Sequence, residues 1–579
     1  MDDEQFLADI GIDPGEPPPP VPSTHAEGIV PLGHDRGIFY YLSRGARQVF
    51  MLSASQHTTA ALLAMASLPY YWQRTQFVTD AGKIKWESAV DDLMQKCRDI
   101  GIFNPDRLRG RGAWLDDGRS VLHLGNELII DGRHTDVLMV PGSAFVYEAA
   151  RQISHVVAPA LTSREANRVM DICKLLRWQD PRDAVLLAGF IVVAPICGAM
   201  KWRPSMWLTG GSKSGKTWTQ RNIVTPLIGD LAYRVQSKTS EAGIRQELVN
   251  DALPVLFDES ESEDGASAAR IQGVLDLVRQ SSSDDGGAIV KGSQNHGAKR
   301  FRIRSSFFFS SINVGLSHAA DLSRVTVVSL ANPVTATDAD RAANAVHFAG
   351  LQRLVGDTIT PAYAAGLLAR SAGLMGTIRV NAETFSAAIA RLMGDRRLGD
   401  QIGTLLAGAY SLHSDRIISQ AQAEQAAAKH VSDLQAEAPQ PDEDRLWQRI
   451  TQHRVRIASG QGAAIECSIG RLIEAAADRD HKIMAEDADR ELRAIGLRYR
   501  PSGFHAETAG VYVSNTHPAL AAILAGSPWA SGWHRSLGRL PMAQAGGAQR
   551  FGPGHVAKCV WVPWISLDAA DGWSQPAEI

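Results

Sequence analysis

The sequence predicts an α/β protein built on a parallel sheet with crossover helices, of the phosphate-loop (P-loop) kind, flanked by smaller mixed and helical regions. Three observations predict it. Between 205 and 330, short apolar runs alternate with helical stretches, the pattern of parallel strands joined by helices. A glycine-rich stretch ending in Gly215-Lys216-Thr217 follows the first of those runs. A later run ends in paired carboxylates, Asp258-Glu259.

The elements follow in chain order. Residues 1–28 read as a tail ending in Pro17-Pro18-Pro19-Pro20-Val21-Pro22, too proline-rich to pack. Its acidic start lacks the basic and apolar regions of a signal peptide. Residues 29–150 are expected to form a mixed α+β N-terminal domain. There Ala113–Leu115 and Val121–Leu124 flank an Asp117-Gly118 turn and read as a hairpin, with Leu128–Ile130 as a third strand. A P-loop core is expected over 151–345, opening with helices between 160 and 200. Ala184–Met200 carries no charge for 17 residues, the lower limit for a membrane span. Gly189, Pro195 and Gly198 interrupt it, so it reads as a buried core helix, and no membrane partner is expected.

The core strands are expected at Ser205–Leu208, Ala232–Val235, Pro254–Phe257, Phe307–Ser310 and Val325–Leu330. An alanine-rich helical annex should follow over 346–436, then a linker at Glu437-Ala438-Pro439-Gln440-Pro441. Residues 444–579 show helices near 468–477 and 485–495. A strand pair then turns at Pro501-Ser502-Gly503 and returns at Val511-Tyr512-Val513. That order predicts a winged-helix-like C-terminal domain.

Composition sets the outer bounds. A chain of 579 residues exceeds one core and should hold two to four domains. Its 59 basic and 62 acidic residues nearly cancel, so any nucleic-acid site must be a local patch. Cys97, Cys173, Cys197, Cys467 and Cys559 lie far apart without paired spacing. That argues against a zinc site or a disulfide framework and suits a reducing cytoplasm.

Gly210-Gly211-Ser212-Lys213-Ser214-Gly215-Lys216-Thr217 fits the P-loop pattern in full. Gly210 and Gly215 permit the tight path that turns successive N–H groups toward nucleotide phosphates. Lys216 would reach the β and γ phosphates of ATP, and the Thr217 hydroxyl would hold Mg2+. With 51 glycines in the chain, such a match arises by chance in only ~2% of chains this long. A buried-strand run before it and a helical stretch after it reduce that further, since the helix N-terminus faces the anion.

Alone, an Asp-Glu pair after a strand is the start of a solvated loop. Here it stands 42 residues beyond Lys216 at a strand end. Asp258 is expected to orient the Mg2+ water shell, and Glu259 to orient and deprotonate the attacking water. Phe307-Phe308-Phe309-Ser310-Ser311-Ile312-Asn313 delivers a lone amide from a buried strand. Asn313 could simply bend the chain, but beside the other motifs it reads as a polar sensor of the γ-phosphate or the water. Arg324, eleven residues on, reads as a finger reaching a neighbouring subunit's nucleotide, or as a surface ion pair with Asp321.

Between Lys291 and Arg304 lie five basic residues and no acidic one. Basic groups neutralise phosphates without reading sequence, as a DNA motor needs. The plain alternative is a solvated hairpin face. Gly292 and Gly297 bracket a polar stretch, so the turn should fall near Gln294–Gly297, with Lys291, His296 and Lys299 as the DNA contacts.

The order of these motifs resembles the AAA+ branch called helicase superfamily 3, in its phage and plasmid primase-helicase group. The matching residues are Trp207-Leu208-Thr209-Gly210 into the loop, Phe257-Asp258-Glu259, Asn313, Arg324 and the basic segment Ile289–Arg304. Ser240-Glu241-Ala242-Gly243-Ile244-Arg245-Gln246 and Arg109-Gly110-Arg111-Gly112-Ala113-Trp114 are also similar to these proteins. The match is specific over roughly 202–330. The sensor reads Ser-Ile-Asn where relatives often place Thr or Ser directly before Asn.

The resemblance implies an AAA+ core, ATP with Mg2+, nucleotide sites shared between subunits of a ring, six-membered, and a basic hairpin gripping single-stranded or forked DNA in the channel. The N-terminal region offers neither an acidic polymerase cluster nor a zinc-binding cysteine set. A helicase without a working primase is therefore expected, with priming from a separate partner. Two other readings stay open: an origin-binding initiator using ATP as a switch, and a defence or regulatory AAA+ ATPase acting on protein.

Overall fold

The computed structural model describes residues 28–564, except 139, 237–238, 259–264, 285–288, 293–297, 313, 315, 317–318, 335, 432–441, 459–463, 478–482, 504–507 and 528. At 258, 289–292 and 298–301, among a few others, it describes the backbone alone. The chain divides into two compact units, Met1–Ala436 and Glu437–Ile579.

The first unit opens with an antiparallel sheet of Ile29–Asp35, Ile38–Ser43 and Gln48–Ser53. Tyr41 and Leu52 of this sheet pack with Leu62, Met65, Trp72 and Leu93 from the helical segments beside it. A four-stranded antiparallel meander follows: Gly112–Asp116, Arg119–His123, Glu127–Ile130 and Arg133–Asp136. Asp117-Gly118 makes its first turn with φ +51° and +80°, the backbone of a type I′ hairpin. Asp131-Gly132 repeats that turn with φ +47° and +80° and adds a fourth strand, Arg133–Asp136, beyond the three expected.

The Arg109–Trp114 segment ties this meander to the rest of the unit. Arg111 forks onto the Asp251 carboxylate at 2.9 and 2.6 Å, and its backbone N–H donates to the same group at 2.6 Å. Burial pushes the Asp251 carboxyl up in pKa while Arg111 pulls it down. Gly110 is required here, because a Cβ on it would fall 2.3 Å from the Asp251 Oδ1 atom.

The central sheet has five parallel strands: β1 (Ser205–Gly210), β2 (Tyr233–Gln236), β3 (Val255–Asp258), β4 (Phe307–Ser310) and β5 (Val325–Leu330). Their order is β2-β3-β4-β1-β5. Near-continuous apolar runs form them because both faces are covered. Trp207, Phe309 and Phe257 stack in a row along one face, with ring centroids 4.9 and 5.1 Å apart. All but one residue of helix Asp183–Val193 is buried, as expected of the uncharged run. Its Asp183 carboxylate accepts from the Ser329 N–H at 2.7 Å, fixing the helix to β5.

Among the described residues, five helices follow in this unit: Asp338–Thr358, Pro361–Gly373, Met375–Met393, Arg396–Ser411 and Gln420–Val431. Helix Arg396–Ser411 crosses helix Asp183–Val193 at a pair of glycines. A Cβ on Gly189 would sit 1.9 Å from the Leu405 carbonyl oxygen, so no side chain fits between the two backbones. From the same helix Gln401 donates to the Ser205 carbonyl at 2.7 Å, at the start of β1. No helix among the described residues is long and apolar enough to cross a membrane.

In the second unit, helix Asp442–Gln452 leads to the pair Arg454–Ala458 and Ala464–Ser468, then helices Ile469–Ala476 and Ala485–Ala494. Strands Leu497–Arg500 and Gly510–Ser514 follow as an antiparallel pair. Leu446, Ile450, Leu472, Leu492, Leu497, Val511 and Val513 share one core. His555–Pro563 and Gln544–Gly552 extend that pair into a four-stranded sheet, two strands beyond those expected.

Candidate nucleotide and nucleic-acid sites

β1 ends at Gly210, with φ +151°, where a Cβ would meet the Leu330 carbonyl oxygen at 2.7 Å. Left-handed backbone at Lys213 (φ +69°) and Gly215 (φ +96°) carries the chain round into helix Lys216–Thr219, which continues through a wide turn to Ile228. Lys216 Nζ donates to the carbonyl oxygens of Gly210 and Gly211 at 2.6 and 3.0 Å, which holds the ammonium at the mouth of the loop. Among the described residues, the Ser214 hydroxyl is buried there without a hydrogen-bond partner. Thr217 is exposed in the first helical turn. A retained lysine, an unsatisfied buried hydroxyl and an exposed threonine at a helix N-terminus fit a phosphate chain and its divalent cation. Ser212 and Lys213 are exposed on the loop.

Parallel strands bring their carboxyl ends to one edge of the sheet, where ligands of α/β proteins bind. β4 lies between β1 and β3. The edge is tied together by three bonds that sequence reading did not find. Gln220, from the helix after the loop, donates to the Phe257 carbonyl at 3.2 Å, one residue before Asp258. Trp207 Nε1 donates to Ser311 Oγ at 2.7 Å. The Thr209 hydroxyl donates to the Ile312 carbonyl at 2.8 Å, one residue before Asn313. The chain ends leading to Asn313 and to Asp258-Glu259 are thereby bound to the loop strand and its helix. Asp258 closes β3, opposite Gln236. Glu259 and Asn313 lie outside the described residues.

A polar residue at the end of an apolar run is a general signal that could have flagged Thr209, whereas Gln220 stands among polar residues and carries none. Asn332 shows no motif at all, yet its amide packs on the loop, 2.5 Å from where a Gly211 Cβ would stand.

Arg324 precedes β5 and is half-buried. Its backbone N–H donates to the Asp321 carbonyl at 2.9 Å. The Asp321 carboxylate is fully buried and accepts a fork from Arg279 at 2.6 and 2.9 Å. Burial lowers the pKa of Arg324, and the positive charges of Arg397 and Arg279 lower it further, against the pull of Asp321.

Strands Ile289–Gly292 and Ala298–Phe301 pair antiparallel, with Lys291 opposite Lys299 and Gly292 opposite Ala298. The expected tip, with His296, lies outside the described residues.

No family model and no curated protein matches the chain. Among solved structures it is similar to one described as "SCCmec type IV Cch - active helicase", at 12% identity and a TM-score of 0.44, over 92% of this chain and 93% of that one. It is also similar to the apo A form of the NrS-1 C-terminal region, at 9% identity and a TM-score of 0.30, over 93% and 96% of the two chains.

Proposed function

We propose that this chain is an ATP-hydrolysing DNA helicase of AAA+ type, working as a ring, six-membered, on single-stranded or forked DNA in the replication of a phage, prophage or plasmid. The observation that carries the reading is the complete phosphate loop between a parallel strand and a helix, with its lysine held at the loop mouth. In this reading Lys216 binds the β and γ phosphates. Thr217 and Asp258 hold Mg2+, which when bound neutralises charge on those phosphates. Glu259 takes the proton of the attacking water, Asn313 orients that water, and Arg324 of a neighbouring subunit offsets charge on the transferred group. Lys291, His296 and Lys299 hold the DNA backbone. The second unit is read as winged-helix-like, the setting is cytoplasmic, and primers come from a separate primase.

The test is unwinding of forked duplexes carrying a 3′ or a 5′ tail, beside ATPase with and without single-stranded DNA. ATP-dependent unwinding from one tail type supports the reading. Hydrolysis indifferent to DNA would sink it in favour of an ATPase acting on protein. Tight binding to one duplex sequence without unwinding would leave an initiator that uses ATP as a switch.

A further inference from the structure

A cluster of guanidinium groups at the root of the hairpin takes no part in the nucleotide site. Arg304 follows the hairpin's second strand by three residues and is 6% exposed. Its guanidinium lies 5.7 Å from the centre of the Trp114 ring. Arg109 stands over the same ring at 4.7 Å and over the Phe145 ring at 3.8 Å. Fully buried Arg203 and half-buried Arg302 complete the group.

Partners are shared unevenly among these four. Arg203 donates to the Asp284 carboxylate at 2.9 Å and to the Ser281 and Met200 carbonyls. Arg302 donates to the Asp106 carboxylate at 3.3 Å and to the Asp284 carbonyl. Arg109 reaches the Asp106 and Leu108 carbonyls through Nη1, while its Nε is buried without a partner. Among the described residues, Arg304 makes no hydrogen bond and no ion pair, only its contact with Trp114. Burial pushes the Arg304 pKa down to about 9, helped by Arg109, Arg302 and Arg203 and opposed by Asp284. Burial likewise brings Arg109 to about 10.

An unpaired buried cation is costly, and a ring face offsets only part of that cost. Guanidinium groups fork onto phosphate with matched geometry, which suits several of them converging without enough carboxylates. The cluster also opens to solvent, since the side chains of Arg302, Asp106 and Asp284 are 28%, 42% and 47% exposed. We propose that Arg304, with Arg109 and Arg302, forms a phosphate-binding site at the root of the hairpin, filled by a phosphodiester of a single nucleic-acid strand. The strand as the source rests on the motor reading; the phosphate chemistry does not.

The test replaces Arg304 by Met, which keeps apolar contact with Trp114 and removes the charge. Thermal melting is followed against inorganic phosphate in a Lys216→Ala background, so that the phosphate loop does not contribute. Phosphate should raise the Tm of the Lys216→Ala chain, and Arg304→Met should abolish that rise without lowering the Tm in its absence. In the otherwise native chain, binding of a deoxythymidine oligomer is measured over a series of salt concentrations. The slope of log affinity against log salt should become shallower by ~0.7 in Arg304→Met, the value for one phosphate contact on a single strand. An equal phosphate response in both chains overturns the site. A lost phosphate response with an unchanged slope overturns the strand as its ligand and leaves free phosphate. A parent chain that binds no DNA sinks the motor reading, while the phosphate arm still decides the site. Should Arg304→Met fail to fold, Arg304→Lys, which keeps the charge but not the fork, serves in the same comparisons.

Discussion

His123 shows how a single ring can set the pH range of the first unit. Its Nε2–H donates to the Glu148 carbonyl at 2.9 Å, and its Nδ1 accepts the Gly125 N–H at 3.0 Å, so both nitrogens are satisfied only in the neutral form. Burial pushes its pKa down to about 4, against an ordinary value of 6.5. Between those values the unfolded chain binds a proton that the folded chain refuses, so stability rises with pH there and levels off above 6.5. At pH 4 the loss relative to neutral pH approaches about 3 kcal/mol, from 1.36 kcal/mol per unit of pKa. Denaturant melts from pH 4 to 8 should therefore show a steeper acid loss in the parent than in His123→Gln. Nothing in the sequence marks this histidine, because its strand reads like any half-buried one. The phosphate loop with Lys216 was readable for the opposite reason, since a fixed spacing of residue types defines it, while Glu259 lies outside the described residues and is proposed from its place after β3. Lys216→Ala should weaken ATP binding by about 100-fold, the loss of one or two charge-assisted hydrogen bonds to phosphate. Glu259→Gln should bind ATP normally and stop turnover. Two variants that hydrolyse like the parent would show that the assignment is wrong; a fluorescent ATP analogue and phosphate release read both quantities.

Elements with strong periodicity or a turn signature were readable, and weakly patterned ones were not. All five core strands appear within one or two residues of their expected positions, because buried parallel strands are unbroken apolar runs. Asp117-Gly118 announced its hairpin. Strand Gln544–Gly552 escaped because Gln-Ala-Gly-Gly-Ala-Gln-Arg-Phe-Gly has no apolar alternation; six of its nine positions are glutamine, glycine or arginine, and most are exposed. Its register is imposed by His555–Pro563, a tertiary cause that local pattern does not carry. The basic hairpin lay between these extremes, with its pairing legible from the flanking glycines. Lys291 and Lys299 occupy directly opposed positions in it. If both contact DNA phosphates, replacing the pair by Ala should make the salt slope shallower by ~1.4, twice the single-strand value per contact. DNA stimulation of ATPase and fork unwinding should fall together. A double variant that unwinds at the parental rate would reduce the hairpin to a solvated face and move the grip elsewhere.

At the scale of the molecule, the proposed nucleotide site is read as shared between neighbouring chains. The loop, the end of β3 and the chain leading to Asn313 converge at one edge of the sheet, through Gln220, Thr209 and Trp207. Arg324 belongs to a different neighbourhood, beside Arg279, Arg397 and a buried Asp321. As a finger, Arg324 would touch the nucleotide of an adjacent subunit and not its own. Arg324→Ala should then bind ATP like the parent and lose hydrolysis by about 1000-fold, the lower range for an arginine finger. Mixing separates a shared site from a private one. In the proposed ring of identical subunits, neither Arg324→Ala nor Lys216→Ala alone should form a working site. In mixed rings, a subunit with an intact loop can meet a neighbour with an intact arginine, so some interfaces regain every group. Combined subunits should therefore recover part of the parental turnover, with a maximum near equal proportions, when phosphate release is followed across mixing ratios. If mixed rings form by mass measurement and no ratio recovers activity, Arg324 acts within its own subunit, and its cationic surroundings are a feature of the fold alone.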